Sequence, residues 1–187
     1  MNLLASALVV LPALLVACSS SRTNPDTTNM PDLGFELTTP TTTSVRITKG
    51  FAAPVEYIWR AHTDAELVKQ WMSGPPDHSM PVCEIDLRVG GRGRYVWKSP
   101  EFELGMWATF KEVTPHERIV HTEIFDGWPE GQSTVTTTFA SAGDGSTITI
   151  DIQYLGPEAL EAVMQPGFEE GYAASYKKLD RIIARDS

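Results

Sequence analysis

The sequence predicts an α+β domain in which an antiparallel sheet carries a helix pair after its first strand and a long C-terminal helix across one face. Three observations lead there. Between Cys83 and Tyr154, six segments alternate apolar and polar residues and are parted by turn residues such as Gly90-Gly91, Asp126-Gly127 and Asp144-Gly145. Ahead of them, Pro54 opens a stretch in which Val55, Ile58, Trp59 and His62 recur at helical spacing. Behind them, Phe168, Tyr172, Tyr176, Leu179 and Ile183 form one apolar helical stripe.

The chain begins with a different kind of segment. Leu3 to Ala17 is uncharged and almost wholly apolar. As a helix it would reach about 22 Å, short of the roughly 30 Å hydrocarbon core, so residues 1–17 read as a signal peptide rather than a membrane span. Leu15-Val16-Ala17-Cys18 resembles the bacterial lipobox, which makes Cys18 the expected lipidation site and the mature N-terminus. Palmitate-type chains there would fix the protein to the membrane, since each buried methylene contributes about 0.8 kcal/mol. Ser19 after the Cys, where Asp would retain a lipoprotein at the inner membrane, points to the periplasmic side of the outer membrane. The n-region Met1-Asn2 lacks the usual Lys or Arg, so a start at Met30 with a cytoplasmic product is the alternative. Residues 18–44 are Ser, Thr, Asn and Pro with few large apolar groups and read as a tether, leaving 45–187 as the folded domain.

Within that domain Val45-Arg46-Ile47-Thr48 alternates as a first strand. Thr63-Asp64-Ala65-Glu66 has the form of a capping box and opens a second short helix with Leu67, Val68 and Trp71, which Pro75-Pro76 ends. The six later strands are expected over Cys83–Val89, Tyr95–Lys98, Gly105–Val113, Arg118–Phe125, Thr134–Phe139 and Thr147–Tyr154. A helical turn then carries Leu160, Val163 and Met164. After Pro166-Gly167 comes the long helix, acidic at its start in Glu169 and Glu170 and basic later in Lys177, Lys178 and Arg181, as the helix dipole favours.

A net charge of −9, from 24 acidic and 15 basic residues, argues against a nucleic-acid partner. With Cys18 acylated, Cys83 is the one remaining thiol; it alternates with Ile85 and Leu87 and reads as a buried small hydrophobe. No nucleophile elbow, phosphate loop or zinc motif is present, so neither a metal nor another cofactor is expected. His62, His78 and His116 stand beside turns or helix ends and are expected at the surface. Glu84, Asp86 and Arg88 share what should be the outer face of a strand.

Several words occur in order along the domain: Phe51-Ala52-Ala53-Pro54 with Trp59, Thr63-Asp64 and Trp71; Asp86-Leu87-Arg88-Val89-Gly90-Gly91; Pro115-His116-Glu117-Arg118-Ile119-Val120 with Thr122-Glu123; and Ala173-Ala174-Ser175-Tyr176 with Leu179-Asp180. They resemble the heat-shock-protein-90 ATPase activator homologue family of the SRPBCC or START-like superfamily. The resemblance implies a helix-grip fold, a seven-stranded antiparallel sheet wrapped around the C-terminal helix with a cavity between them. It does not imply one activity, because the fold hosts ligand binders, small transcription-coupled proteins and a co-chaperone domain.

Trp59, Trp71, Tyr95, Trp97, Met106, Phe125, Met164, Phe168, Tyr172 and Tyr176 fall on faces expected to point inward and are the candidate ligand contacts. His121 and Glu123, two apart on one strand face, are the sharpest chemical candidate. Inside a cavity they could orient a ligand's polar group, or serve as general acid and base. The leading expectation is therefore non-catalytic binding of an apolar small molecule by a lipid-anchored envelope protein. A cyclase- or hydrolase-type enzyme using His121 and Glu123 is one rival, and a co-chaperone-like interaction domain translated from Met30 is another. Trp107 and Trp128 leave room for a homodimer.

Overall fold

In the computed structural model the described residues are 34–74 and 77–186. Cys18, Met30, the leader over 1–17 and Pro75-Pro76 lie outside them. The chain runs β1 (Phe35–Thr41), β2 (Ser44–Phe51), α1 (Val55–Thr63), α2 (Ala65–Trp71), β3 (Ser79–Ile85), β4 (Arg92–Lys98), β5 (Glu103–Thr114), β6 (Arg118–Phe125), β7 (Trp128–Ala142), β8 (Gly145–Tyr154), α3 (Pro157–Val163) and α4 (Phe168–Asp186). The strands form one antiparallel sheet in the order β1-β2-β8-β7-β6-β5-β4-β3.

The expected class and element order are found, with corrections. The sheet has eight strands rather than seven, because Phe35–Thr41, in the stretch read as tether, pairs with β2. That segment is too polar to hold a core by itself, but its Thr residues suit a half-exposed strand, and Phe35 and Leu37 pack against the main core. Strand β3 is centred earlier than expected, and Leu87 to Gly91 form the turn instead. Gly90 N–H donates to Phe110 O at 2.8 Å and Phe110 N–H to Gly91 O at 3.0 Å, which folds this turn back onto β5. Gly91 is obligatory there, since a Cβ would lie 2.1 Å from Asp86 O. The N-cap of α2 is Asp64, whose Oδ1 accepts from Glu66 N at 2.9 Å and from Leu67 N at 3.3 Å. Thr63 belongs to the end of α1, where its hydroxyl donates to Trp59 O. A Thr already inside one helix cannot cap the next, and the Asp carboxylate takes the role.

Strand alternation puts Val45 and Ile47 of β2, Ile148, Ile150 and Ile152 of β8, and Val135 and Phe139 of β7 on one buried face. Helix α4 covers it with Phe168, Tyr176, Leu179 and Ile183, all buried. One charged residue interrupts the apolar row: Lys49, its side chain 5% exposed, reaches Asp180 of α4 at 3.1 Å. This ion pair ties the long helix to β2. Asp180→Ala strands an ammonium in the core and is expected to lower unfolding free energy by about 3 kcal/mol in urea melts. Lys49→Met combined with Asp180→Leu should recover most of it; a double variant as unstable as Asp180→Ala would show that the charge is not the cause.

Candidate functional site

The inner face of the sheet is built in rows by strand register. Ile85, Gly93, Ala108, Glu123, Ser133 and Tyr154 lie side by side from β3 to β8. The neighbouring row carries Cys83, Tyr95, Met106 and Phe125, and the row on the other side Phe110, His121, Val135 and Ile152. Glu123 thus stands between two of the smallest side chains available, Ala108 and Ser133, with Gly93 one strand further out. Tyr95 folds back over Gly93: a Cβ there would meet its Cε2 at 2.8 Å and its hydroxyl at 3.1 Å. The absent side chain lets the tyrosine lie over Gly93, beside Ala108.

His121 Nε2 is 2.9 Å from Glu123 Oε1, and the two side chains are only 15% and 20% exposed. His121 Nδ1 is sealed from solvent without a hydrogen-bond partner among the described residues. An unpaired buried lone pair costs less than an unpaired buried N–H, so the favoured tautomer carries its proton on Nε2 and donates it to Glu123. Phe110, tilted against the imidazole at 5.8 Å between centroids, closes the other side.

Tyr154 shares the row of Glu123 through Ser133, and Tyr95 lies over Gly93 two strands to the other side. Burial, with the Glu123 charge adding to it, raises the pKa of Tyr154 and Tyr172 well above the ordinary phenol value, and burial followed by Cys83 and Glu123 does so for Tyr95. Tyr172 comes from α4 and is packed by Phe168 at 5.1 Å. Tyr95 and Tyr172 are strongly desolvated, yet each keeps part of its surface open.

Of the sequence candidates, strand register brings together Tyr95, Met106, His121, Glu123 and Phe125, while Phe168 and Tyr172 pack on each other from α4. Trp97 borders the first group, its ring stacked on Tyr95 at 6.1 Å and its Nε1–H donated to Met72 O. Trp71 and Tyr176 do not join it. They stack on one another at 5.3 Å in an aromatic collar with His62 and Phe51, and Trp71 Nε1–H is spent on Ala61 O. Trp59 packs on Phe139 at 5.1 Å and meets the exposed His116, six residues along β7 from Ser133 and so about 20 Å from the Glu123 row. Met164 lines an open groove of about 610 Å³ between the β1–β2 hairpin and α3, bordered by Thr39 to Thr42, Pro157, Leu160 and Glu161. Tyr154, Gly93, Ala108 and Ser133 were missed as site residues. Tyr154 was legible, since it ends the alternation of Ile148, Ile150 and Ile152; the small residues gain meaning only from cross-strand register.

The other expectations divide. Cys83 is buried with Val68 and Met80, and burial pushes its thiol up to about 11, which suits a packing role. Among the described residues no group of three His, Cys, Asp or Glu could hold a metal ion. His116 is exposed as expected, but the side chains of His62 and His78 are not: His78 is 8% exposed beside Asp77, and His62 sits in the aromatic collar with Nδ1 2.7 Å from Ile58 O. Helix position did not betray this, because the collar is assembled from β2, α2, β7 and α4. Trp107 is roofed by the guanidinium groups of Arg92 and Arg94 at 4.3 and 4.8 Å, and Arg94 also pairs with Asp126.

An antiparallel sheet gripping a long C-terminal helix, with a polar pair on its inner face, defines a helix-grip domain of the SRPBCC or START-like class. The chain belongs to the family described as Activator of Hsp90 ATPase homolog 1-like protein, whose pattern matches residues 52–184. A Rhodobacter sphaeroides protein of known crystal structure is similar with 26% identity and a TM-score of 0.74, over 80% of this chain and 98% of that one. A Mycobacterium smegmatis protein shares 26% identity at a TM-score of 0.69, over 79% and 96% of the two chains. A Nitrosomonas europaea protein, 24% identical with a TM-score of 0.70, covers 79% of this chain and 98% of its own, and shows the same fold. Comparison with curated proteins gave no match.

Burial lowers the His62 pKa to about 4, against the smaller opposing effect of its bond to Ile58 O. The folded state therefore binds this proton more weakly than the unfolded chain, whose His titrates near 6.5. Its contribution is complete above about pH 7 and is lost as pH falls towards 4. Unfolding free energies from urea melts at pH 7.5 and 4.5 should differ by roughly 2–3 kcal/mol from this residue, and His62→Leu should remove that share of the slope. An unchanged slope in the variant would assign the acid sensitivity to other groups.

Proposed function

We propose that this domain is a non-catalytic binder of an apolar small molecule, held between the sheet and α4 with its polar group at Glu123. The observation that carries the reading is a carboxylate on the inner face of the sheet, one-fifth exposed, held by His121 at 2.9 Å and flanked by the small side chains of Ala108 and Ser133. Met106, Phe125 and Phe168 supply apolar walls and the carboxylate a single fixed polar contact, the usual composition of a small-molecule site. A saturable fluorescence increase of N-phenyl-1-naphthylamine at one site per chain is the expected result. Ala108→Leu, which adds bulk beside Glu123, should weaken it at least tenfold while leaving the thermal midpoint within a few degrees. Unaltered binding in that variant, or no saturable binding in the wild type, would overturn the assignment.

A second reading rests on the same 2.9 Å contact, because a His–Glu pair on an apolar floor is also a competent acid/base couple. Hydrolysis of a panel of aryl esters and lactones tests it: turnover abolished by His121→Gln and by Glu123→Gln would favour the enzyme. The cellular context we propose is the envelope, anchored through a lipid on Cys18, on the strength of the lipobox-like Leu15-Val16-Ala17-Cys18. Intact mass of the native product should show acyl chains on a chain starting at Cys18, and Cys18→Ala should move the protein out of the membrane fraction. An unmodified product starting at Met30 would reject the anchor and restore the co-chaperone-like alternative.

A further inference from the structure

The inner face of the described strands carries two charged residues, and they are far apart. Lys49 is opposite Ile148, whereas Glu123 is in register with Ser133 and through it with Tyr154, six residues along β8 or about 20 Å away. Lys49 is moreover engaged by Asp180. No cation of the described sheet therefore compensates Glu123 within its own row, and its one hydrogen-bonding neighbour, His121, is spent on Oε1. Oε2 makes no hydrogen bond to another described residue, and the side chain is one-fifth exposed. A carboxylate so placed needs a donor, and a group approaching with its own lone pairs or negative charge is repelled in a medium where charges are poorly screened.

The tyrosines narrow the chemistry further. Tyr154 shares the Glu123 row two strands to one side, through Ser133, and Tyr95 lies over Gly93 two strands to the other, while no hydrogen bond joins either hydroxyl to Glu123 or to another described residue. They border the carboxylate as O–H groups that can donate to a ligand oxygen. A ligand hydroxyl suits both demands at once, donating its proton to Glu123 Oε2 and accepting one from a tyrosine. An ether or ketone can only accept, and a carboxylate adds a second anion.

We infer that the site selects an apolar molecule bearing an alcohol or phenol hydroxyl, and discriminates against the same skeleton ending in a carboxylate or an ether. His121 is a positioning residue here, holding Glu123 so that Oε2 faces the ligand. The inference rests on the ligand-binding reading above, and the test separates the two. Matched probes on one ring system, 2-naphthol, 2-methoxynaphthalene and 2-naphthoate, are titrated into the full domain at pH 7 by calorimetry. 2-Naphthol should bind at least tenfold tighter than either of the others. Glu123→Leu should bring 2-naphthol and 2-methoxynaphthalene within threefold of each other, and Glu123→Gln should bring 2-naphthoate up towards 2-naphthol. Equal binding of all three by the wild type would leave a ligand-binding domain but overturn hydroxyl selection, as would a preference that survives in Glu123→Leu. No binding of any probe would overturn both. Because Glu123→Leu could perturb the fold, its far-ultraviolet dichroism and thermal midpoint are compared first; should it misfold, Glu123→Gln, nearly isosteric, decides through the naphthoate arm alone.

Discussion

Helix α4 has one apolar stripe to bury and the sheet has one apolar face to cover, and each meets its need in the other. Phe168, Tyr176, Leu179 and Ile183 leave water only by lying across β2, β7 and β8, while Val45, Ile47, Ile148 and Ile150 leave water only beneath them. At about 2 kcal/mol for each large side chain buried, this contact outweighs any single polar interaction in the molecule. The Lys49–Asp180 pair then fixes how the helix is placed along β2. The outer face keeps polar pairs such as Arg46–Asp151, which are exposed and contribute little.

The site follows from the same contact. Because the stripe runs the length of α4, its residues near the start of the helix meet a different part of the sheet from those near its end. Tyr176 enters an aromatic collar that is packed and closed, and Tyr172, one turn earlier, comes within reach of the Glu123 charge. Two tyrosines on one stripe thus do different work: one fills the core and the other borders a polar centre. Gly93, Ala108 and Ser133 share the row of Glu123 and leave little side-chain volume around the carboxylate.

Much of the fold was legible in the chain. Strand β6 was read with its observed ends, and β8 and α4 were read nearly so, because their alternation and helical stripe face a single core. The errors fell where local pattern and tertiary environment disagree. Strand β1 forms on the open edge of β2; its Thr residues suit a strand, but the edge that receives it belongs to another segment. Asp64 displaced Thr63 as a cap because helix α1 had already claimed the threonine. His62 looks superficial in sequence, and is buried because four other elements converge on it. At the site, His121 and Glu123 were visible as a pair on one strand face. The flanking small residues were not, because their role depends on strand register, which periodicity within one strand does not contain.

Every pairing in the sheet but one joins strands that follow each other in sequence; the exception is β2 with β8. Six of the seven ladders can therefore zip as local hairpins with short loops to close, while the seventh waits for the chain between Phe51 and Gly145 to be gathered. The β1–β2 hairpin is the first part of the sheet to be synthesised and cannot be seated until the last strand has emerged. Lys49 shares that delay, because its partner Asp180 lies later still. A chain interrupted before β8 would leave the backbone N–H and C=O groups along one edge of β7 unpaired and the N-terminal hairpin without a neighbour, so maturation has a single late closing step on which the native core depends.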